Sequence, residues 1–238
     1  MKVIQPNCRI QFTAQDIEFI ARVLAAKNGQ NQLVIQLLSD PEMRDLILDD
    51  EALFHALLEQ KGCLRVSSHF YFYVLVRHVL RRSDIEDRGV ADYVAEVLAE
   101  FSSMERTRCV VPGRGPVNYM FEMLAALQTA DDRTSFSIRA HIGNYWLFFC
   151  GVFAEHIRFR AEFRGAPGLS YYEALGRSSF RLLSDHRLAH KYELAPIFNT
   201  LSERFEPARR ALNDLAERLF SIGDPDFGLD ALSFKNLN

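Results

Sequence analysis

The chain predicts an all-α fold, a compact multi-helix bundle of about nine or ten helices around a central apolar helix near residues 134–158. Three observations carry this expectation. Glycine (12) and proline (8) are sparse in 238 residues. Apolar residues recur at i, i+3, i+4 and i+7 over long unbroken stretches. Alternating segments of strand length are rare, and runs such as "RCVV" have no evident partner. No period of 20–50 residues repeats, so a solenoid is not expected.

The first helix is announced by "TAQDIEFIARVLAAKNG". Thr13 can cap it, with Asp16 three residues on as the acid of a capping box. Ile17, Ile20, Ala21 and Leu24 form the buried stripe, and Gly29 closes the segment. "NQLVIQLLSD" is a short helix, and Asp40-Pro41 restarts the chain with an N-cap and an N1 proline. Two further short helices follow, the second ending at Lys61-Gly62.

Ser67 and Ser68 can cap the stronger helix "HFYFYVLVRHVLRR". At 100° per residue, Phe72, Leu75, Val76, Val79 and Leu80 share one face, while Arg77, Arg81 and Arg82 turn away. The next helix, "DRGVADYVAEVLAEF", points Val90, Tyr93, Val94, Val97 and Leu98 inward. "MERTRCVVPGRGP" then breaks the pattern with two prolines, two glycines and alternating charge. It divides an N-terminal helical half, 1–103, from a C-terminal one, 117–223, with 104–116 as a loop or hinge and 224–238 as a tail. The two halves are expected to form one unit. "VNYMFEMLAALQTAD", the central helix and "YYEALGRSSFRLLSDHR" follow, with the turn cluster "FRGAPGLS" ahead of the last. The final helical segment is expected to bend at Pro196 and Pro207.

Composition limits the function classes. The formal net charge is −3, so nothing draws the whole chain to nucleic acid or to an anionic membrane. The charge is uneven, with five Lys/Arg against nine Asp/Glu in residues 1–60 and seven against three in residues 156–191. The two regions suit two solvated faces, an attraction between the ends, or the same attraction between two copies. The four cysteines, at 8, 63, 109 and 150, show no CxxC and no paired spacing. The N-terminus lacks the apolar core of a signal peptide. The longest apolar run is interrupted by His141, Asn144 and Glu155 and is too short for a membrane span. The expected location is a reducing cytoplasm.

No P-loop, dinucleotide fingerprint, GxSxG or HExxH occurs, and "GRGP" at 113–116 reads as a turn. If "DHRLAHKYE" is helical, His186, His190 and Glu193 fall within about a 60° arc, the one metal-like spacing. Arg187 and Lys191 flank that stripe as on a solvated surface, so no cofactor is expected and a metal ion there is the weaker reading. "RFRAEFR" resembles a nucleic-acid patch in composition, yet Phe159 and Phe163 at i, i+4 read as packing residues. On one continuous central helix, His141, Asn144, Tyr145, Glu155 and His156 share a sector of about 120° with Phe148 and Val152. Such a mixed sector faces a groove, a partner or a cavity. Glu155 is three turns from His141 and needs a partner from another segment, with Arg158, Arg177 and Arg181 as candidates. The sequence therefore reads as a helical protein-interaction or regulatory module, binding a protein or itself as a homodimer. The alternative is an enzyme or small-ligand-binding bundle built on the His141/Asn144/Glu155 sector.

Overall fold

A carboxylate with no exposure at all, Asp16, ties the first helix to the fifth. It accepts from the backbone N–H and hydroxyl of Thr13, closing the capping box of helix α1 (Ala14–Asn28), at 2.6 and 2.9 Å. It also accepts from the N–H and hydroxyl of Ser67, both at 2.7 Å. Ser67 is itself the N-cap of α5 (Ser68–Arg81). Four donors on one carboxylate offset the cost of burying it. The computed structural model describes residues 3–28, 31–59, 65–102, 109–111, 115–117 and 120–222.

Among the described residues there are thirteen α-helices, a 3-10 helix at Cys8–Gln11 and one short hairpin, an all-α architecture. Short helices α2 (Asn31–Leu37), α3 (Pro41–Leu48) and α4 (Glu51–Glu59) follow α1. Asp40 caps α3 as its sequence position implies, accepting from the Met43 N–H at 2.9 Å. Helix α5 and α6 (Arg88–Phe101) pack as a hairpin, with Asp87 capping α6. Next come α7 (Met120–Leu127), α8 (Asp132–Val152), α9 (Ala154–Arg164), α10 (Leu169–Ser184), α11 (Arg187–Lys191), α12 (Ala195–Glu203) and α13 (Phe205–Ile222). Helix α8 lies against α10 and α13, α10 against α12, and α13 reaches back to α5. One contiguous apolar core runs from Cys8 to Leu219.

Close approach is made possible by small residues. A Cβ on Gly176 of α10 would stand 2.4 Å from the Phe205 ring, and one on Gly151 of α8 would stand 2.7 Å from Leu212. Both glycines let α13 or its first residue sit against a neighbouring backbone.

Four expectations are corrected. The central helix is not continuous over 134–158: it stops at Val152 and restarts at Ala154, with Phe153 at φ −121° and ψ 35°. The break sends the Phe153 ring into the core beside Phe148 and Phe149. Pro196 and Pro207 do not bend one long helix, because each lies in the first turn of its own, α12 and α13, where a missing N–H costs nothing. "RCVV" does have a partner: strand β1 (Cys109–Val111) pairs antiparallel with β2 (Gly115–Val117), Cys109 opposite Val117. The rest of 104–116 and the tail 224–238 lie outside the described residues. Finally, Arg77 does not turn to water. Only 2% exposed, it binds both oxygens of Asp49 at 2.8 and 3.1 Å and the Glu86 carbonyl at 2.6 Å. A side chain on the outer arc of α5 is buried because α3 ends over it.

Helix α11 ends in the same way as α5. Asp84 (φ 56°) and Glu193 (φ 58°) are left-handed, and the next N–H in each case bonds back five residues, Ile85 to Leu80 and Leu194 to Ala189, at 3.0 and 2.8 Å. These are Schellman closures built without glycine.

Candidate functional site

The break at Phe153 divides the polar sector that a continuous helix would have kept together. Asn144 is buried, and its Oδ1 accepts from the Tyr93 hydroxyl at 2.9 Å, also in the core. His141 is half-buried between the rings of Phe101 and Tyr145, 5.6 and 6.1 Å away. Tyr145 stacks on Phe149 at 4.3 Å, and burial pushes its hydroxyl up to about 12. Glu155 lies beyond the break and is exposed. It pairs with Arg158 of its own helix, not with another segment and not with Arg177 or Arg181. His156 is half-buried on α9, with its pKa lowered by burial and by Arg160 and Arg164. The five residues do not form one site.

The metal-like spacing fails for a related reason. Helix α11 spans only Arg187–Lys191, so His186, His190 and Glu193 share no helical stripe. His186 is the N-cap, its Nδ1 accepting from the Leu188 N–H at 3.1 Å while Nε2 meets Asp132 Oδ1 at 3.0 Å. Accepting at Nδ1 selects the Nε2–H tautomer, which donates to the carboxylate. Glu193 is the left-handed residue that ends the helix. No group of three possible metal ligands occurs among the described residues.

Two charged clusters are internal fastenings that the sequence reading missed. On α6, Asp92 and Glu96 are 2% and 3% exposed, one helical turn apart. Asp92 accepts from the Cys8 N–H at 2.7 Å and from Arg9 Nε at 2.9 Å. Glu96 accepts from the Cys8 thiol at 3.2 Å and from Gln11 at 3.3 Å, with His69 Nε2 at 3.6 Å. The pair clasps the N-terminal 3-10 helix. Burial and then the Glu96 charge push the Cys8 thiol far above its ordinary range, so it stays protonated and is no nucleophile. The available signal was the i, i+4 spacing of two acids among core residues. The second cluster centres on Asp49, which Arg77, Arg81 and Arg88 surround at 2.8, 3.7 and 2.7 Å. Asp45 takes Arg9 and Glu51 takes Arg82, at 2.8 and 2.7 Å. Of the nine acids in residues 1–60, Asp45, Asp49 and Glu51 are thus engaged by arginines of the N-terminal segment, α5 with its C-cap, and α6.

The basic excess of residues 156–191 is not met in this way. Arg164, Arg177 and Arg181 are exposed and make no ion pair among the described residues. Arg164 ends α9, a helix that carries an apolar ridge. Phe159 and Phe163 are 50% and 66% exposed, their rings 4.7 Å apart. Ala154 and Ile157 are the buried residues of the helix, roughly opposite the two phenylalanines at 100° per residue. The expectation that Phe159 and Phe163 pack into the core is therefore overturned: they point away from it. Behind them, Trp146 stacks on Tyr172 at 4.0 Å and holds the α8–α10 side of the bundle.

Among the described residues, no helix is long and apolar enough to cross a membrane. Comparison with known protein families, curated proteins and solved structures found no match for this chain.

Proposed function

We propose that this chain is a helical protein-interaction module that takes an acidic partner segment with apolar anchors on the α9 ridge. The observation that carries the reading is the Phe159–Phe163 pair, its rings tilted against each other and exposed on the helix face opposite the core. An exposed aromatic pair at i, i+4, rimmed by charge, is the kind of anchor a partner helix or groove covers. The unpaired Arg164, with Arg177 and Arg181 on the neighbouring α10, favours a partner of opposite sign. The internal pairing of Asp45, Asp49 and Glu51 takes three of the nine acids of residues 1–60 out of reach of a second copy, which favours a different partner. A formal net charge of −3 gives the chain no general attraction for a nucleic-acid backbone. Buried, protonated Cys8 and Cys150 suit a reducing compartment, the cytoplasm.

The test is a selection from a random peptide library displayed on phage against the immobilised full chain. The expected winners carry Asp/Glu together with two large apolar residues, and bind Phe159→Ser/Phe163→Ser at least tenfold more weakly, since each covered ring contributes roughly 1–3 kcal/mol. Arg158→Glu/Arg164→Glu weakens them similarly. Winners that bind wild type and the phenylalanine double variant equally overturn the reading. So does binding of a single-stranded oligonucleotide in place of peptides, or self-association that the double variant abolishes.

A further inference from the structure

A cleft of about 180 Å³ opens where the N-terminal segment crosses the start of α8 and the short helix α11. Its apolar wall is Val3, Phe136 and Leu188, and its polar groups are Gln5, Arg133, Ser137 and Tyr192. Phe136 is fixed from behind by His186 and Tyr192, at 4.9 and 6.2 Å between ring centres. Each of these polar groups can donate a hydrogen bond, and Arg133 can do nothing else. Ser137 is 6% exposed, yet its hydroxyl has no hydrogen-bond partner among the described residues. Arg133, one turn earlier on the same helix face, makes no side-chain hydrogen bond or close ion pair among the described residues, its charge acting only at longer range on Asp131. The nearby acids are occupied: Asp131 caps the Thr134 N–H at 2.7 Å, and Asp132 holds His186 and Arg187 at 3.0 and 2.7 Å.

We infer that this cleft binds a small organic carboxylate with an apolar body. A guanidinium, a serine hydroxyl, a phenol and a primary amide line one space; all four can donate, and the guanidinium, which can only donate, favours an anionic acceptor. Phe136, Leu188 and Val3 offer the matching surface to a ring or short chain. Arg133 holds the carboxylate as a two-point fork, Ser137 donates to one of its oxygens, and the apolar body lies on Phe136. The volume admits a ligand of roughly ten heavy atoms at ordinary packing density, below the size of a nucleotide cofactor. This site is separate from the α9 ridge and does not depend on it.

Benzoate is the probe, titrated into the full chain and followed by amide chemical shifts. Expected is saturation in the millimolar range, as suits so few ligand atoms, with the largest shifts at residues 133–137 and 188–192. Neutral benzamide binds at least tenfold more weakly. Arg133→Gln, a change at an exposed position that leaves the fold intact, weakens benzoate at least tenfold, and Ser137→Ala about threefold. The Phe159→Ser/Phe163→Ser chain binds benzoate like wild type, so failure here and failure of the interaction reading are distinguishable. No saturable binding, equal binding of benzamide, or an unchanged affinity in Arg133→Gln overturns the inference.

Discussion

Replacing Tyr93 by phenylalanine and Asn144 by leucine, singly and together, measures what the buried polar pair between α6 and α8 is for. Tyr93 has no exposure, Asn144 is 2% exposed, and one hydrogen bond of 2.9 Å joins them. Tyr93→Phe leaves the amide carbonyl of Asn144 buried without its donor. Asn144→Leu leaves the phenol facing hydrocarbon, edge-on to Phe198 at 5.6 Å. Each single change is expected to cost about 1–3 kcal/mol, the desolvation of one orphaned group. The double change removes both groups at nearly constant volume, so it costs no more than either single one. The coupling energy is then at least as large as the smaller single cost, about 1–3 kcal/mol. For a chain of this size each kcal/mol moves the Tm by about 2–4 °C. The singles therefore melt roughly 2–12 °C early, and the double variant does not add their shifts. Urea unfolding followed by far-UV circular dichroism, with unchanged m values, gives the free energies. Additivity of the two singles to within about 0.5 kcal/mol refutes the claim that the pair acts as a buried unit.

The pH dependence of stability carries two steps of known sign. Burial lowers the His78 pKa despite its bond to the Val74 carbonyl, so the unfolded chain takes up a proton first. Stability is expected to be full above about pH 6.5 and to fall as pH drops towards the lower folded value, a slope that His78→Leu removes. Burial alone would raise the Asp49 pKa, but the Arg77 bond and the charges of Arg77, Arg88 and Arg81 lower it. Its stabilisation is present above the unfolded value and lost as pH falls through the folded one, and Asp49→Asn abolishes that acid step; an unchanged profile in either variant counts against these assignments. Glu193→Gly is expected to stabilise by about 1 kcal/mol, because glycine takes the left-handed position without the Cβ penalty. A loss of stability in thermal melts would show that the Glu193 side chain holds something the Schellman closure does not explain.

Helices, caps and most of the apolar stripes were legible because they depend on neighbours within four residues. Thr13–Asp16, Asp40 and Ser67 cap where the sequence places them, and Val90, Tyr93, Val94, Val97 and Leu98 face inward. What the sequence determined by itself is therefore the all-α character and most of its segmentation. The tertiary structure decided whatever rests on residues far apart in the chain. Arg77 is buried because Asp49 comes from another helix, and Asp92 and Glu96 are buried because Cys8, Arg9 and Gln11 arrive to bond them. No proline marks the turn at Phe153, yet it separates Glu155 and His156 from His141 and dissolves the sector that a uniform 100° step would draw. Phe159 and Phe163 have the spacing of core residues, and only packing decides that nothing among the described residues covers them. Periodicity records which side chains share a face of a helix. Which face meets another helix and which meets water depends on partners that lie dozens of residues away.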